Sequence, residues 1–425
     1  MLKPSDTTVK IASNTIYQVV GKVVSMSVTI LATILVVKAY GRESYGEFNL
    51  MQTFPALFFV IVDFGLNAIA TRELAGDWSK AEKYLGNILL LRTGLALLIM
   101  LITAVSLIFF PYSPALKLGI YLSLFLILTQ ALYATTNIIF QVRLRYDLST
   151  IGYITGSVLI LGLILLVSNL KMPVMWVSFS YVLGGLATFI INIFFIKRLG
   201  LKIRFNYDKK LAKYLFQQTL PLGLMFIFSQ INFKVDSIFI SILDLPEKYG
   251  LNNTESVAVY GLPYKIFEVS LVIPTFFMNA AYPIFVRHML ESKERLKETF
   301  FRVLVVLLTG GIIFGVLGIL LAPFAIRLLG GDSFVQSVLV LRILVGGLVL
   351  FYVTQPISWL IVTLGGQKYL PVIYLISAIF NVSSNLLVIP FYSFYGSSVI
   401  TLASEMIILI LLTFFVLKVW RLKYA

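Results

Sequence analysis

The sequence predicts an all-α polytopic membrane protein of about 12 transmembrane helices, arranged as two six-helix lobes related by a parallel pseudo-repeat. Three observations predict it. Of the 425 residues 59% are hydrophobic and 12% charged, against about 25% charged in a soluble domain. Apolar stretches of roughly 20 residues, enough to cross a ~30 Å hydrocarbon core, recur from end to end, and the mean hydropathy is +0.95. Basic residues, finally, crowd into alternate inter-span segments.

Taken in order, the spans read 13–38, 46–70, 86–110, 116–140, 149–169, 173–197, 214–243, 257–285, 300–323, 335–362, 369–390 and 396–419. The first is too long for a signal-peptide core and no small-residue cleavage site follows it, so it is kept as a span. With the N-terminus inside, the inner segments carry 23 Lys and Arg and the outer segments six. That asymmetry predicts both termini in the cytoplasm. The formal charge of +15 is therefore mostly topological, and with no basic–aromatic platform a nucleic-acid partner is not expected. Cysteine is absent, which excludes disulfides and thiolate chemistry. The single histidine, His288, lies in a charged inner segment. No cofactor, metal site or enzymatic activity is expected.

The basic stretch "KRLGLKIRFNYDKKLAK" follows span six. It divides the chain into an N-terminal lobe (1–197), a cytoplasmic linker (198–213) and a C-terminal lobe (214–425). The lobes echo one another weakly: Tyr45 and Arg72 around span 2 recur as Tyr260 and Arg287 around span 8, at a common offset of 215. Six spans per lobe make the repeat parallel. Gly152/Gly156 and Gly311/Gly315 read as close helix contacts, and Pro55, Pro221, Pro263, Pro274 and Pro356 as kinks. Asn252-Asn253-Thr254 matches a glycosylation acceptor by chance.

Charges inside spans are the informative feature, since each costs at least ~2.5–3.5 kcal/mol at mid-bilayer. Arg92, Glu47 and Arg342 lie near span ends, where snorkelling makes them anchors. Lys22, Asp63, Lys234, Asp236, Lys265, Glu268 and Glu405 lie deeper. Asn14, Gln18 and Lys22 form one stripe at helical spacing, and Gln18 is placed to solvate Lys22. Asn67 is placed likewise to serve Asp63. Lys265 and Glu268 share a face, and Gln230/Lys234 and Asn232/Asp236 are i,i+4 couples. Either these charges are buried pairs that fix helix register, or they line a polar cavity in which lysines meet an anion.

The run "NTIYQVVGK…ILVVKAYGRESYGEFNL…VIVDFGLNAIATREL" resembles the opening of bacterial oligosaccharide flippases, the Wzx-type polysaccharide transporters. They share a superfamily with multidrug extruders and lipid II flippases. The resemblance implies two lobes facing a central cavity lined by spans 1, 2, 7 and 8, and alternating access. Six of the seven deep charges fall on those spans. It further implies Lys22, Lys234 and Lys265 as diphosphate-binding residues. Asn14, Gln18, Asp63, Gln230, Asp236 and Glu268 are expected to be the cavity's polar, charge-balancing or ion-coupling residues.

The expected function is translocation of a polyprenyl-diphosphate-linked oligosaccharide, such as an O-antigen unit, from the inner to the outer leaflet of the bacterial cytoplasmic membrane. The prenyl tail would stay among the membrane lipids. No GxxxxGK[ST] loop is present, so ATP is not used by that route. An inside-negative potential supplies ~2.3 kcal/mol per charge per 100 mV, roughly 4–5 kcal/mol for a doubly charged diphosphate. Coupling to Na+ or H+ through Asp63, Asp236 or Glu268 is an open addition, as are partner proteins of glycan assembly. A multidrug extruder of the same fold is the alternative. Such proteins commonly carry an acid in span 1, whereas this chain has none between Asp6 and Glu43. A glycan polymerase or ligase needs catalytic groups on a large outer loop, and the longest one, about 244–256, has no histidine or arginine.

Overall fold

The computed structural model describes residues 6–203, 205 and 207–424, with side chains from residue 16 onward. It is 91% helical, without strands among the described residues. The helices are α1 (Asp6–Asp63), α2 (Leu66–Gly76), α3 (Ala81–Ser106), α4 (Pro114–Val142), α5 (Tyr146–Asn169), α6 (Val174–Arg198), α7 (Lys209–Ile242), α8 (Asn253–Ser270), α9 (Val272–Glu291), α10 (Lys293–Gly330), α11 (Ser337–Gly346), α12 (Leu348–Thr363) and α13 (Leu370–Tyr424). Ten stretches of the described chain are long and apolar enough to cross a membrane.

Two of the ten are double. A straight helix of 55 residues, the length of α13, would span ~80 Å, far beyond any bilayer. Instead the Ser377 hydroxyl donates to the Ser404 carbonyl at 3.0 Å, so the helix doubles back at Ser393 (φ 48, ψ −136). Helix α1 bends likewise at Gly41 (φ 80), a backbone angle that glycine takes without a Cβ penalty; Ser25 and Gln52 consequently line one cavity. Counting both limbs of α1 and α13 gives the twelve crossings of the sequence reading.

The chain forms two compact units, Met1–Gly223 and Leu224–Ala425, divided within α7. Each unit holds six crossings. In the first, α5 and α6 pack through glycines: a Cβ at Gly156 would lie 2.6 Å from the Gly184 carbonyl, and one at Gly152 would meet Asn192. In the second, a Cβ at Gly311 would lie 2.9 Å from the Val349 Cα. Both glycine pairs therefore serve close packing, as read from the sequence. On α10, Val305, Val306, Ile312, Ile313, Leu320 and Phe324 stay exposed, an apolar face suited to lipid rather than water.

Breaks within spans have local causes. Span 8 divides into α8 and α9 at Leu271. Pro274 has no N–H for the Ser270 carbonyl, and that carbonyl accepts from the Tyr352 hydroxyl at 3.0 Å instead. Span 2 breaks at Phe64 (φ 43) and Gly65 (φ 72). The Asn252-Asn253-Thr254 sequence is a helix start: Glu255 N donates to Asn252 Oδ1 at 2.8 Å and Asn252 N to Glu255 Oε2 at 3.1 Å, a capping box opening α8. Asn253 ties back to the Ile240 and Leu243 carbonyls, so neither asparagine is a spare loop residue.

Candidate functional site

In the first unit the break at Phe64–Gly65 brings the end of α1 and the start of α2 against α3 and α4. Arg92 of α3 fills that junction and is fully buried. Its guanidinium donates to Asp63 Oδ1 at 2.5 Å, to Asn67 Oδ1 at 3.0 Å and to Thr135 Oγ1 at 3.0 Å. This corrects the reading of Arg92 as a snorkelling anchor. The planar, always charged guanidinium stays inside because a carboxylate and two oxygens receive it. It also changes the environment of Asp63, which holds a cation, while Asn67 serves Arg92 rather than Asp63. Arg342, in contrast, is exposed on α11 with Nε directed at the Ile319 carbonyl.

Lys22 lies on the first limb of α1, where Ile16, Tyr17, Val19, Val20 and Val23 are exposed as well. Gly21 faces α5, with the Thr150 hydroxyl 3.3 Å from where its Cβ would be; that hydroxyl donates to the Tyr17 carbonyl at 2.9 Å. Lys22 is exposed and has no ion pair among the described residues. Gln18 is half-buried, with no hydrogen bond joining it to Lys22. Asn14 lies outside the described side chains.

The second unit gathers the remaining charges. Lys234 of α7 bonds Glu268 Oε1 at 2.5 Å, and Lys265, one turn earlier on α8, reaches Glu268 Oε2 at 3.3 Å. One carboxylate is thus divided between two ammonium groups, and the trio carries a net positive charge. Lys234 also lies 5.9 Å from the centre of the Tyr264 ring, a cation–π contact. The side chains are 18%, 27% and 38% exposed for Lys234, Glu268 and Lys265, so Lys265 is the more accessible cation. Gln230, one turn before Lys234, is half-buried.

Asp236 is two residues from Lys234 yet wholly buried. Its Oδ2 accepts from the Tyr260 hydroxyl at 2.7 Å and the Thr401 hydroxyl at 3.0 Å. Its Oδ1 accepts from Asn385 at 2.9 Å, and Asn385 in turn accepts from Ser397 at 2.9 Å. No lysine or arginine faces Asp236 among the described residues. Glu405, one turn beyond Thr401, lines a separate small cavity with Asn232, Tyr374 and Ser404. The polar stripes Ser377/Asn381/Asn385 and Ser397/Thr401 were visible as i,i+4 spacings on spans 11 and 12. They escape a reading that ranks span residues by formal charge.

Outside the apolar spans, Asp208 caps α7 by accepting from Lys210 N at 2.8 Å and Leu211 N at 3.1 Å, and pairs with Lys83 at 2.6 Å. The Lys83 ammonium and those amides hold its carboxyl down at about 2.

Twelve crossings in two six-helix units define a multi-pass membrane protein with the fold of the MOP-superfamily transporters. The structure is similar to an inward-facing multidrug resistance MATE transporter of that superfamily (TM-score 0.75, 14% identity, 94% of this chain and 96% of that one). It is also similar to the lipid II flippase MurJ in an inward closed conformation (TM-score 0.70, 16% identity, 96% and 90%). A third likeness is to a MOP-superfamily transporter from Pyrococcus furiosus (TM-score 0.62, 16% identity, 97% and 95%). The family model described as polysaccharide biosynthesis protein matches residues 11–289, and a MatE model matches residues 221–387. The chain belongs to the polysaccharide biosynthesis protein family. No curated protein matches it.

Proposed function

We propose that the protein is a flippase that carries a polyprenyl-diphosphate-linked oligosaccharide from the cytoplasmic to the outer leaflet of a bacterial inner membrane, by alternating access and with both termini cytoplasmic. The observation that carries this reading is uncompensated positive charge within membrane-spanning segments. Lys22 has no carboxylate among the described residues, and Lys234 and Lys265 share a single one. Keeping such ammonium groups in hydrocarbon costs several kcal/mol, a cost that a diphosphate offsets when it binds. Lysine suits that task as a point charge. Family membership supports a glycan cargo, and a lipid II flippase of like fold supports a lipid-borne one.

Of the three acids considered for ion coupling, Asp63 and Glu268 already hold cations within the protein. Asp236 does not, and its shell of hydroxyl and amide groups suits a Na+ or a proton. A cation-coupled multidrug extruder draws support from the MatE match, but the exposed charge on span 1 is Lys22, which repels cationic drugs. Exchange of Lys22 for Ala is expected to abolish glycan export at matched membrane expression. Normal export would remove Lys22 from the mechanism. Transport of defined lipid-linked glycans in proteoliposomes, set beside drug resistance in a pump-deficient host, separates the two readings.

A further inference from the structure

The first unit contains a cavity that the charge argument leaves unused. It lies among α1, α4, α5 and α6 and encloses about 150 Å³, many times the ~10–15 Å³ that admits one water. No charged residue lines it among the described residues. Three tyrosines do, Tyr133, Tyr153 and Tyr181, together with the amides of Gln52 and Gln130. Gly156 and Gly184 bring α5 and α6 into close contact along one wall of the cavity, and Gly185 lies against Thr129 of α4.

Two of the lining groups have nothing to bind. Gln52 Nε2 is used within the protein, donating to the Ser178 hydroxyl at 2.9 Å. Gln130 and the Tyr181 hydroxyl make no hydrogen bond among the described residues; the Tyr181 ring is held by Phe48 at 5.9 Å between centroids. A half-buried carboxamide and phenol without protein partners are free to bind a ligand that enters the cavity. They are paired when a ligand brings both donors and acceptors.

We infer that this cavity is a subsite for one uncharged sugar ring of the lipid-borne glycan. The inference rests on the flippase reading and deepens it. A sugar hydroxyl both donates and accepts, which matches a carboxamide and a phenol, and the C–H face of a pyranose lies well on a tyrosine ring. A cation would find no carboxylate there, and a diphosphate no ammonium. Size and neutrality together favour a sugar over either.

The test is binding to the purified full-length chain in lipid nanodiscs, with two probes: the lipid-linked glycan extracted from the source cells, and unglycosylated polyprenyl diphosphate. Wild type is expected to bind the glycosylated lipid about tenfold more tightly. Gln130→Ala and the conservative Tyr181→Phe, which keeps the ring in place, are each expected to remove most of that preference while leaving the bare lipid's affinity unchanged. Equal affinity for both lipids in wild type would overturn the subsite and leave the flippase reading standing, as would variants that weaken both lipids alike. If neither lipid binds, the flippase reading falls and the subsite with it.

Discussion

The two units treat charge within the membrane in opposite ways. In the first, Asp63 and the buried arginine cancel: Arg92 is enclosed by Asp63, Asn67 and Thr135, and Lys22 is left without an ion pair among the described residues. In the second nothing cancels completely. Glu268 is shared by two lysines, and Asp236 is buried among neutral groups. A closed pair at a helix break is a fastener, because its energy is spent on holding α1, α2, α3 and α4 together. An open imbalance does the reverse: it lowers stability and is relieved by a ligand of opposite sign. The flippase reading predicts that structural and ligand-binding charge differ in whether the local sum is zero.

The largest effect expected from this contrast is in the fastener. Removing one partner of a buried pair leaves the other uncompensated, at about 3–5 kcal/mol. Arg92→Ala should therefore reduce membrane expression sharply and lower the melting temperature in detergent. A double variant, Arg92→Met with Asp63→Leu, should recover much of the loss, since an apolar pair needs no compensation. If Arg92→Ala melted like wild type, the description of the pair as a fastener would be wrong.

In the open cluster the same logic reverses the sign for ligand binding. Glu268→Gln removes the carboxylate that both lysines share and raises the local charge by one. Affinity for inorganic pyrophosphate, measured by calorimetry on the purified chain, should rise about tenfold and fall steeply with added salt. Lys234→Ala should weaken it. An affinity indifferent to both substitutions would mean that the trio is another fastener.

Asp236→Asn is a gentler probe. It keeps the shape and removes a charge that has no cation near it, so stability should change by no more than about 1 kcal/mol. The dependence of transport on a Na+ or proton gradient should disappear. Full retention of that dependence would exclude Asp236 as the coupling site.

The sequence made the architecture legible because lipid imposes a single rule: spans of fixed length with satisfied backbones. Even the two reversals were marked, one by Gly41 and the other by the polar and aromatic run Phe391–Tyr395. Charge pairing between distant segments was not readable. Arg92 and Asp63 are 29 positions apart, and nothing in their spacing announces that they meet. Lys265 and Glu268, three apart on one helix, were paired correctly from sequence, since helical geometry alone brings them together. The neutral cavity was the least legible feature. Its tyrosines and glutamines are ordinary one by one, and no spacing among them announces that they line one space.

The smallest expected effect belongs to the Lys83–Asp208 pair, which lies outside the spans and tests whether a zero-sum pair fastens when water can reach it. The folded-state value of Asp208 is depressed from 3.8 to about 2 by Lys83 and by the α7 amides. A depressed carboxyl adds stability that is present above its unfolded value and is lost as the pH falls through the folded one, so the window here runs from about pH 4 down to about pH 2. Lys83→Met should lower the neutral-pH melting temperature slightly and flatten the acid-side fall by the same small amount, because solvent screens an exposed pair. Asp208→Ala should do more, since it also removes the cap on α7. A neutral-pH loss for Lys83→Met as large as that of Arg92→Ala would mean that water access does not separate the two kinds of pair, and the contrast between the units would have to be drawn on burial of the whole junction instead.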